Sequence, residues 1–115
     1  MLRSIWLLLF FPLYFGCYEG SGKEPFNRHA ELVFTKHARC RMDCRHITSK
    51  EIHEVLESGN INYNKSEPDG RPDPKYAIEG YTAEQQHLRI IVAPENAKLI
   101  IITCIELGVE HSCNC

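Results

Sequence analysis

Four cysteines have the spacing to form a single cluster. Cys40 and Cys44 are four residues apart, so that on a helix their side chains would be neighbours. Cys113 and Cys115 lie two residues apart near the C-terminus. If this tail folds back over the helix, the four cysteines form two disulfides, which an exported domain can form and keep. The same four side chains could instead surround one zinc ion, which binds four ligands in a tetrahedron.

Histidines near the cysteines are candidate substitute ligands for zinc. At 100° per residue, His37 lies about 60° from Cys40 and about 20° from Cys44 around a helix. A C-x₃-C pair with a C-x-C pair is a weaker zinc signature than two C-x₂-C pairs. We therefore favour disulfides over zinc, keep free thiols as a third interpretation, and expect no other cofactor. Cys104 falls within an apolar run and is expected to be buried and unpaired.

The N-terminal segment indicates where this chemistry takes place. Arg3 precedes an apolar run over residues 5–15, which as a helix would span about 17 Å, well short of a bilayer core of about 30 Å. That length is typical of a signal peptide. We therefore predict a signal peptide at residues 1–16 and export to the periplasm or to the outer face of a bacterial membrane.

The end of this segment predicts a lipid anchor. Gly16 followed by Cys17 is similar to the lipobox of bacterial lipoproteins, in which the cysteine is lipidated after cleavage. Tyr14 and Phe15 depart from the usual pattern, so an uncleaved short anchor and a buried N-terminal helix are the alternatives. Residues 17–27 contain glycine, serine and proline and are typical of a tether, which leaves a single domain over residues 28–115.

Composition and charge limit the classes of function. The chain is 43% hydrophobic and 24% charged, which is ordinary for one globular domain. The formal net charge is −2, and removal of Arg3 with the signal peptide makes it −3. A nucleic-acid-binding domain usually carries a strongly basic balance. We therefore expect the membrane, through the N-terminal anchor, as the partner and do not expect a nucleic acid.

Two helices must position the first cysteine pair. Thr35 can cap a helix over residues 36–44. Thr48 and Glu51 have the spacing of a capping box for a second helix that ends near residue 58. Gly59 follows it, where we expect a left-handed C-terminal cap.

After the second helix the pattern changes to strands. Strands are predicted over residues 60–64, 75–82, 87–93 and 98–107, while residues 32–34 form an extended lead-in. The short turns between the last three strands predict an antiparallel meander. The last, isoleucine-rich strand is typical of one that is covered on both faces. The predicted fold is α+β, with two N-terminal helices packed on a three- to four-stranded, mainly antiparallel sheet.

A known family shares the pattern of residues 37–47. In this chain the family's opening His-Ala pair, two arginines and isoleucine correspond to His37, Ala38, Arg41, Arg45 and Ile47. A short helix follows, and an apolar strand ending in threonine is similar to residues 100–103. On these residues the chain from about residue 33 to 105 resembles the family catalogued as domain of unknown function 4258.

The resemblance implies a candidate activity. The family is similar to RelE- and BrnT-like toxins, which are small α+β ribonucleases. It implies that His37, Arg41, Arg45 and Arg89 lie near an RNA phosphate, with the histidine transferring a proton. The structural interpretation, which we favour, is that these residues fix the helices to the sheet through hydrogen bonds to carbonyls. We therefore predict a non-catalytic envelope module held by disulfides or a metal, with a ribonuclease toxin domain as the alternative.

Overall fold

The computed structural model describes residues 24–115 and has the predicted α+β architecture. The strands are ordered β1-β5-β4-β3-β2 in one sheet, in which β1 is parallel to β5 and all other neighbours are antiparallel. The elements in chain order are β1 (Glu31–Phe34), α1 (Lys36–Arg45), α2 (Ser49–Ser58), β2 (Asn60–Glu67), β3 (Lys75–Tyr81), β4 (His87–Glu95) and β5 (Lys98–Glu106).

Strand β1 corrects the predicted sheet. The sheet has five strands rather than three to four, and one of them precedes the helices. Val33 lies opposite Ile100 in the register of β1 and β5, and the Thr35 hydroxyl donates to the Ile102 carbonyl at 3.1 Å. The lead-in is a strand because the β4–β5 hairpin leaves the outer edge of β5 with unpaired backbone groups.

One of the two caps predicted for α2 is present and the other is not. The predicted capping box is confirmed, since Thr48 Oγ1 accepts from the Glu51 N–H and Glu51 Oε1 accepts from the Thr48 N–H. The predicted left-handed cap at Gly59 is wrong, because this residue is extended with φ −79°. Glycine is required there because a Cβ atom would lie 2.6 Å from the Val55 carbonyl oxygen. The left-handed cap belongs to His46, with φ 57°, after α1.

Both helices cover the same face of the sheet. Ile91 lies opposite Thr103 whereas Val92 lies opposite Ile101, so β5 contains one extra residue at this point. This bulge lets both Ile101 and Cys104 be fully buried in the core. The other face of β5 is only partly covered, because its residues there are of intermediate exposure. The expectation that β5 is covered on both faces is therefore wrong.

The segment before β1 also packs in the core. Phe26, which lies in the predicted tether, is 9% exposed, and its ring centroid is 5.4 Å from that of Tyr76. Arg28 donates from Nη1 to the carbonyl oxygens of Leu56 and Gly59 at 2.8 and 2.7 Å. Because these carbonyls lie at the end of α2, Arg28 satisfies acceptors that the helix itself leaves unpaired.

Candidate functional site

The two predicted cysteine pairs form two disulfides between α1 and the C-terminal tail. Cys40 is bonded to Cys115 and Cys44 to Cys113, and in each bridge the Cα atoms are 5.9 Å apart. This supports disulfides over free thiols. Zinc binds the thiolate form of cysteine, which a disulfide does not provide. In residues 24–115 no group of three or more His, Cys, Asp or Glu side chains could hold a metal ion. Zinc binding by the reduced protein stays a prediction.

The local structure of the tail explains how it reaches α1. The Leu107 N–H donates to the His87 carbonyl at 2.7 Å, which extends the pairing of β5 with β4 by one residue. Gly108 then has φ 83°, a conformation that residues with a side chain rarely adopt. His111 Nε2 lies 3.3 Å from Glu106 Oε1, so the chain has reversed over its own strand end. The two bridges follow directly.

Arg45 joins α1 to the sheet on the inner side of the disulfides. Its side chain is 9% exposed, and Nη1 donates to the Cys104 carbonyl oxygen at 2.9 Å. This is the kind of hydrogen bond that the structural interpretation of the arginines requires. The Nε atoms of Arg41 and Arg45 are buried without a hydrogen-bond partner among the described residues. Arg45 therefore acts as a buried link between α1 and β5.

The residues implied by the toxin resemblance do not form one cluster. His37 is exposed near the start of α1, beside the C-terminal Cys115. Arg89 alternates with the core residues Leu88 and Ile90 on β4, which places it on the face of the sheet opposite the helices. There its Nε donates to Glu79 at 2.7 Å. The structure thus separates Arg89 from the residues of α1.

Cys104 has the buried, unpaired position expected of it. It is a free thiol with no exposed surface. Burial raises the pKa of the thiol to about 11, although the positive charges of Arg45 and Arg41 oppose this effect. A cysteine with such a pKa is neutral at physiological pH, so it has little nucleophilic character.

A polar and aromatic groove at the other edge of the sheet was not predicted from the sequence. It has a volume of about 610 Å³ and lies where β2 meets β3 and the start of β4. Tyr81 and His87 stack there with ring centroids 4.3 Å apart and an interplanar angle of 10°. They are directly opposite each other in the β3–β4 register. Two ring residues flanking a predicted hairpin turn were the one signal available in the sequence.

Glu79 is the charged group on the floor of this groove. Its Oε2 atom accepts from Asn62 Nδ2 at 2.9 Å and from Arg89 Nε at 2.7 Å. Burial opposes ionisation, but these hydrogen bonds and the positive charges of Arg89 and His87 outweigh it. The pKa of Glu79 therefore lies below its ordinary value of 4.5. The carboxylate is ionised at neutral pH and is paired with Arg89.

The predicted signal peptide and the lipidation site at Cys17 lie outside the described residues. Among the helices of residues 24–115, none has the length and hydropathy needed to cross a membrane.

Comparison with known proteins supports the family assignment. No curated protein and no solved structure matches this chain. Residues 34–106 match the family described as Domain of unknown function (DUF4258), which confirms the resemblance noted from the motif. The match runs from the last residue of β1 to the last residue of β5, and so stops before the two tail cysteines. A relation to RelE- and BrnT-like toxins stays a prediction. The chain belongs to the DUF4258 family.

Proposed function

We propose that the protein is an exported, lipid-anchored envelope module without catalytic activity, in which two disulfides hold the C-terminal tail on α1. The observation that carries this proposal is the pair of bridges Cys40–Cys115 and Cys44–Cys113. Disulfides persist in secreted and periplasmic proteins and are rare in the bacterial cytosol, where thiols are kept reduced. The bridges therefore support the predicted signal peptide at residues 1–16.

The state of the candidate catalytic groups supports a non-catalytic role. Arg45 is buried and bonded to a backbone carbonyl, and Arg89 is paired with Glu79 on the opposite face of the sheet. Neither guanidinium is free to contact a phosphate beside His37. The buried Cys104 is held neutral by its raised pKa. Arg45 and Arg89 thus have partners within the protein that do not require a substrate.

The proposed anchor is a lipid on Cys17. The described residues begin at Glu24, and Phe26 is already in the core. A flexible segment of the length between Cys17 and Glu24 spans about 15 Å. The domain would thus be held close to the membrane surface.

Fractionation of bacteria that express the full chain tests this proposal. We expect the wild-type protein in the membrane fraction and the Cys17→Ser variant in the soluble periplasmic fraction. Mass spectrometry with and without reductant should find the two helix–tail bridges in both. A reduced protein confined to the cytosol would overturn export. Retention of the Cys17→Ser variant in the membrane would replace the lipid by an uncleaved anchor.

A separate assay addresses the alternative activity. The purified, oxidised protein is incubated with RNA, beside the His37→Ala variant. We expect no cleavage by either protein. Cleavage by the wild type that is lost in the His37→Ala variant would replace the envelope module by a ribonuclease.

A further inference from the structure

An exposed aromatic side chain marks one groove. Among residues 24–115 the large apolar side chains with the greatest exposure are Tyr63 at 58%, Tyr81 at 57% and Val109 at 47%. Both tyrosines line the groove of about 610 Å³ between β2 and β3, which we call the β2–β3 groove. Its volume lies in the range of small-molecule sites. The Tyr63 ring lies 6.4 Å from that of the core residue Tyr76, on the helix-covered face of the sheet. The ring of Tyr81 lies on the other face, and its exposure within a concave site indicates a binding surface.

Tyr81 presents a flat surface in this groove. One face of its ring is stacked on His87, almost parallel and 4.3 Å away. Since more than half of the side chain is exposed, the opposite face is open to solvent. The stack limits ring rotation, and a ring that is already ordered loses little entropy when a ligand packs on it. The negative π face attracts groups that carry partial positive charge, such as the C–H bonds of a sugar ring.

The polar groups beside the Tyr81 ring, which serves as an aromatic platform, have unused hydrogen-bonding capacity. Both observed bonds to Glu79, from Asn62 and from Arg89, go to Oε2, so Oε1 remains as an acceptor. A carboxylate accepts at both oxygens, and an amide NH₂ has two donor hydrogens. Asn62 uses one of its hydrogens for Glu79. An acceptor and a donor are thus left side by side at the floor of the groove.

The charge of the groove limits the kind of ligand. The carboxylate of Glu79 is paired with Arg89 at 2.7 Å, and among residues 24–115 no lysine or unpaired arginine lines the groove. Binding sites for single-stranded nucleic acids combine aromatic platforms with a basic path for the phosphates. Such a path is lacking here. A neutral ligand with one apolar face and a polar edge fits these groups better.

We propose that the β2–β3 groove binds a short neutral oligosaccharide. One pyranose ring packs its C–H face on Tyr81, while its hydroxyls donate to Glu79 Oε1 and accept from Asn62. This inference goes beyond the proposed function and does not depend on export or on the lipid. Its failure would therefore leave the envelope module unaffected, and the reverse also holds.

NMR titration of the purified, oxidised, isotope-labelled protein tests the groove. The probes are three uncharged trisaccharides, namely cellotriose, maltotriose and tri-N-acetylchitotriose, each added to about 10 mM because isolated sugar sites are weak. We expect at least one of them to shift the amide signals of Asn62, Tyr81 and His87 in a saturable way. The signals of the tail around Val109 should not move.

Three variants decide whether the groove is responsible. Tyr81→Ala removes the platform and should weaken binding about tenfold or more. Tyr81→Phe keeps the ring and loses only its hydroxyl, so it should bind within about twofold of the wild type. Val109→Ala is the control for removal of an exposed apolar side chain elsewhere. Urea unfolding of each variant establishes that it is folded.

Several results would overturn the proposal. One is the absence of saturable shifts with all three trisaccharides. Another is a set of shifts that lies away from β2 and β3. Equal binding by the wild type and a folded Tyr81→Ala variant would exclude the platform. Binding of an RNA trinucleotide, run as a parallel titration, with no response to any sugar would assign the groove to a nucleic acid instead.

Discussion

The two disulfides close nested loops, so their contributions to stability should not be additive. Cys40 and Cys115 are separated by 75 residues and Cys44 and Cys113 by 69. Either bridge alone therefore restricts nearly the whole domain in the unfolded state. Once one is formed, the other closes only a small ring, because the cysteines are four positions apart on α1 and two apart in the tail.

The loop-closure relation gives the magnitudes. For a loop of about 70 residues it predicts about 4.5 kcal/mol from the first bridge. For a ring of about six residues it predicts about 2 kcal/mol from the second. Removal of either bridge alone should thus lower the free energy of unfolding by about 2 kcal/mol, while removal of both should lower it by about 6.5 kcal/mol. The combined loss exceeds the sum of the single losses by about 2.5 kcal/mol.

Paired substitutions measure the contribution of each bridge without leaving an unpaired cysteine. The variants are Cys40→Ala with Cys115→Ala, Cys44→Ala with Cys113→Ala, and all four together. Urea unfolding followed by circular dichroism gives the free energy of unfolding in water, and this is the quantity compared among the variants. The urea midpoint is not suitable, because removal of a bridge lets the unfolded chain expand and so increases the dependence of the free energy on urea. A constant amount of sucrose keeps the fourfold variant folded, since a natural domain has only about 5–15 kcal/mol to lose.

The result that would refute the reasoning is additivity. If the fourfold variant loses no more than the two paired variants together, the bridges do not act on the same unfolded loop. Peptide mapping of the wild type by mass spectrometry is the control for the pairing. It should find Cys40 with Cys115 and Cys44 with Cys113.

Three further predictions concern single side chains. At pH 8 a thiol with a pKa of about 11 has about one hundredth of the thiolate fraction of a thiol with a pKa of 9.0. Iodoacetamide should therefore label Cys104 only after unfolding. Labelling of the native protein would contradict the burial of Cys104. The stabilisation from ionised Glu79 is present above pH 4.5 and is lost as the pH falls through its lowered pKa. Glu79→Gln should therefore reduce the fall in the free energy of unfolding between about pH 5 and pH 3. If urea unfolding gives the same dependence on pH for the variant and the wild type, this role of Glu79 is excluded. Arg28→Met removes two charged hydrogen bonds to carbonyls at the end of α2 and should lower the free energy of unfolding by about 2–3 kcal/mol in the same assay. Lys98→Met is the control for removal of a surface charge. An equal loss of stability in both variants would contradict the prediction.

Features that depend on neighbouring residues in the chain were predictable. The capping box needs only Thr48 and Glu51, three residues apart, and it forms as predicted. The four-residue spacing of Cys40 and Cys44 places both on one side of α1, so that one tail can reach both. In each case the geometry of a single helix turn carries the information.

Features that depend on distant partners were not predictable in this way. β1 has four residues and its partner strand lies at the far end of the domain, so no local periodicity marks it. Gly59 was expected to provide a positive φ, yet it is needed for a close approach to the Val55 carbonyl. Glu79 and Asn62 lie on the neighbouring strands β3 and β2 and form a hydrogen bond at the groove. A single sequence does not show which strands pair or in which register, so this contact could not be predicted.

The strand order separates the two features that could carry function. The disulfides join the tail to α1, which packs on β5, whereas the β2–β3 groove lies mainly on β2 and β3 and includes only His87 from β4. None of the groove residues belongs to α1 or the tail. Reduction of the bridges should therefore lower the free energy of unfolding without changing the affinity of the groove in the molecules that remain folded. A groove that lost affinity in folded, reduced protein would show instead that the tail holds β2 and β3 in place through the sheet.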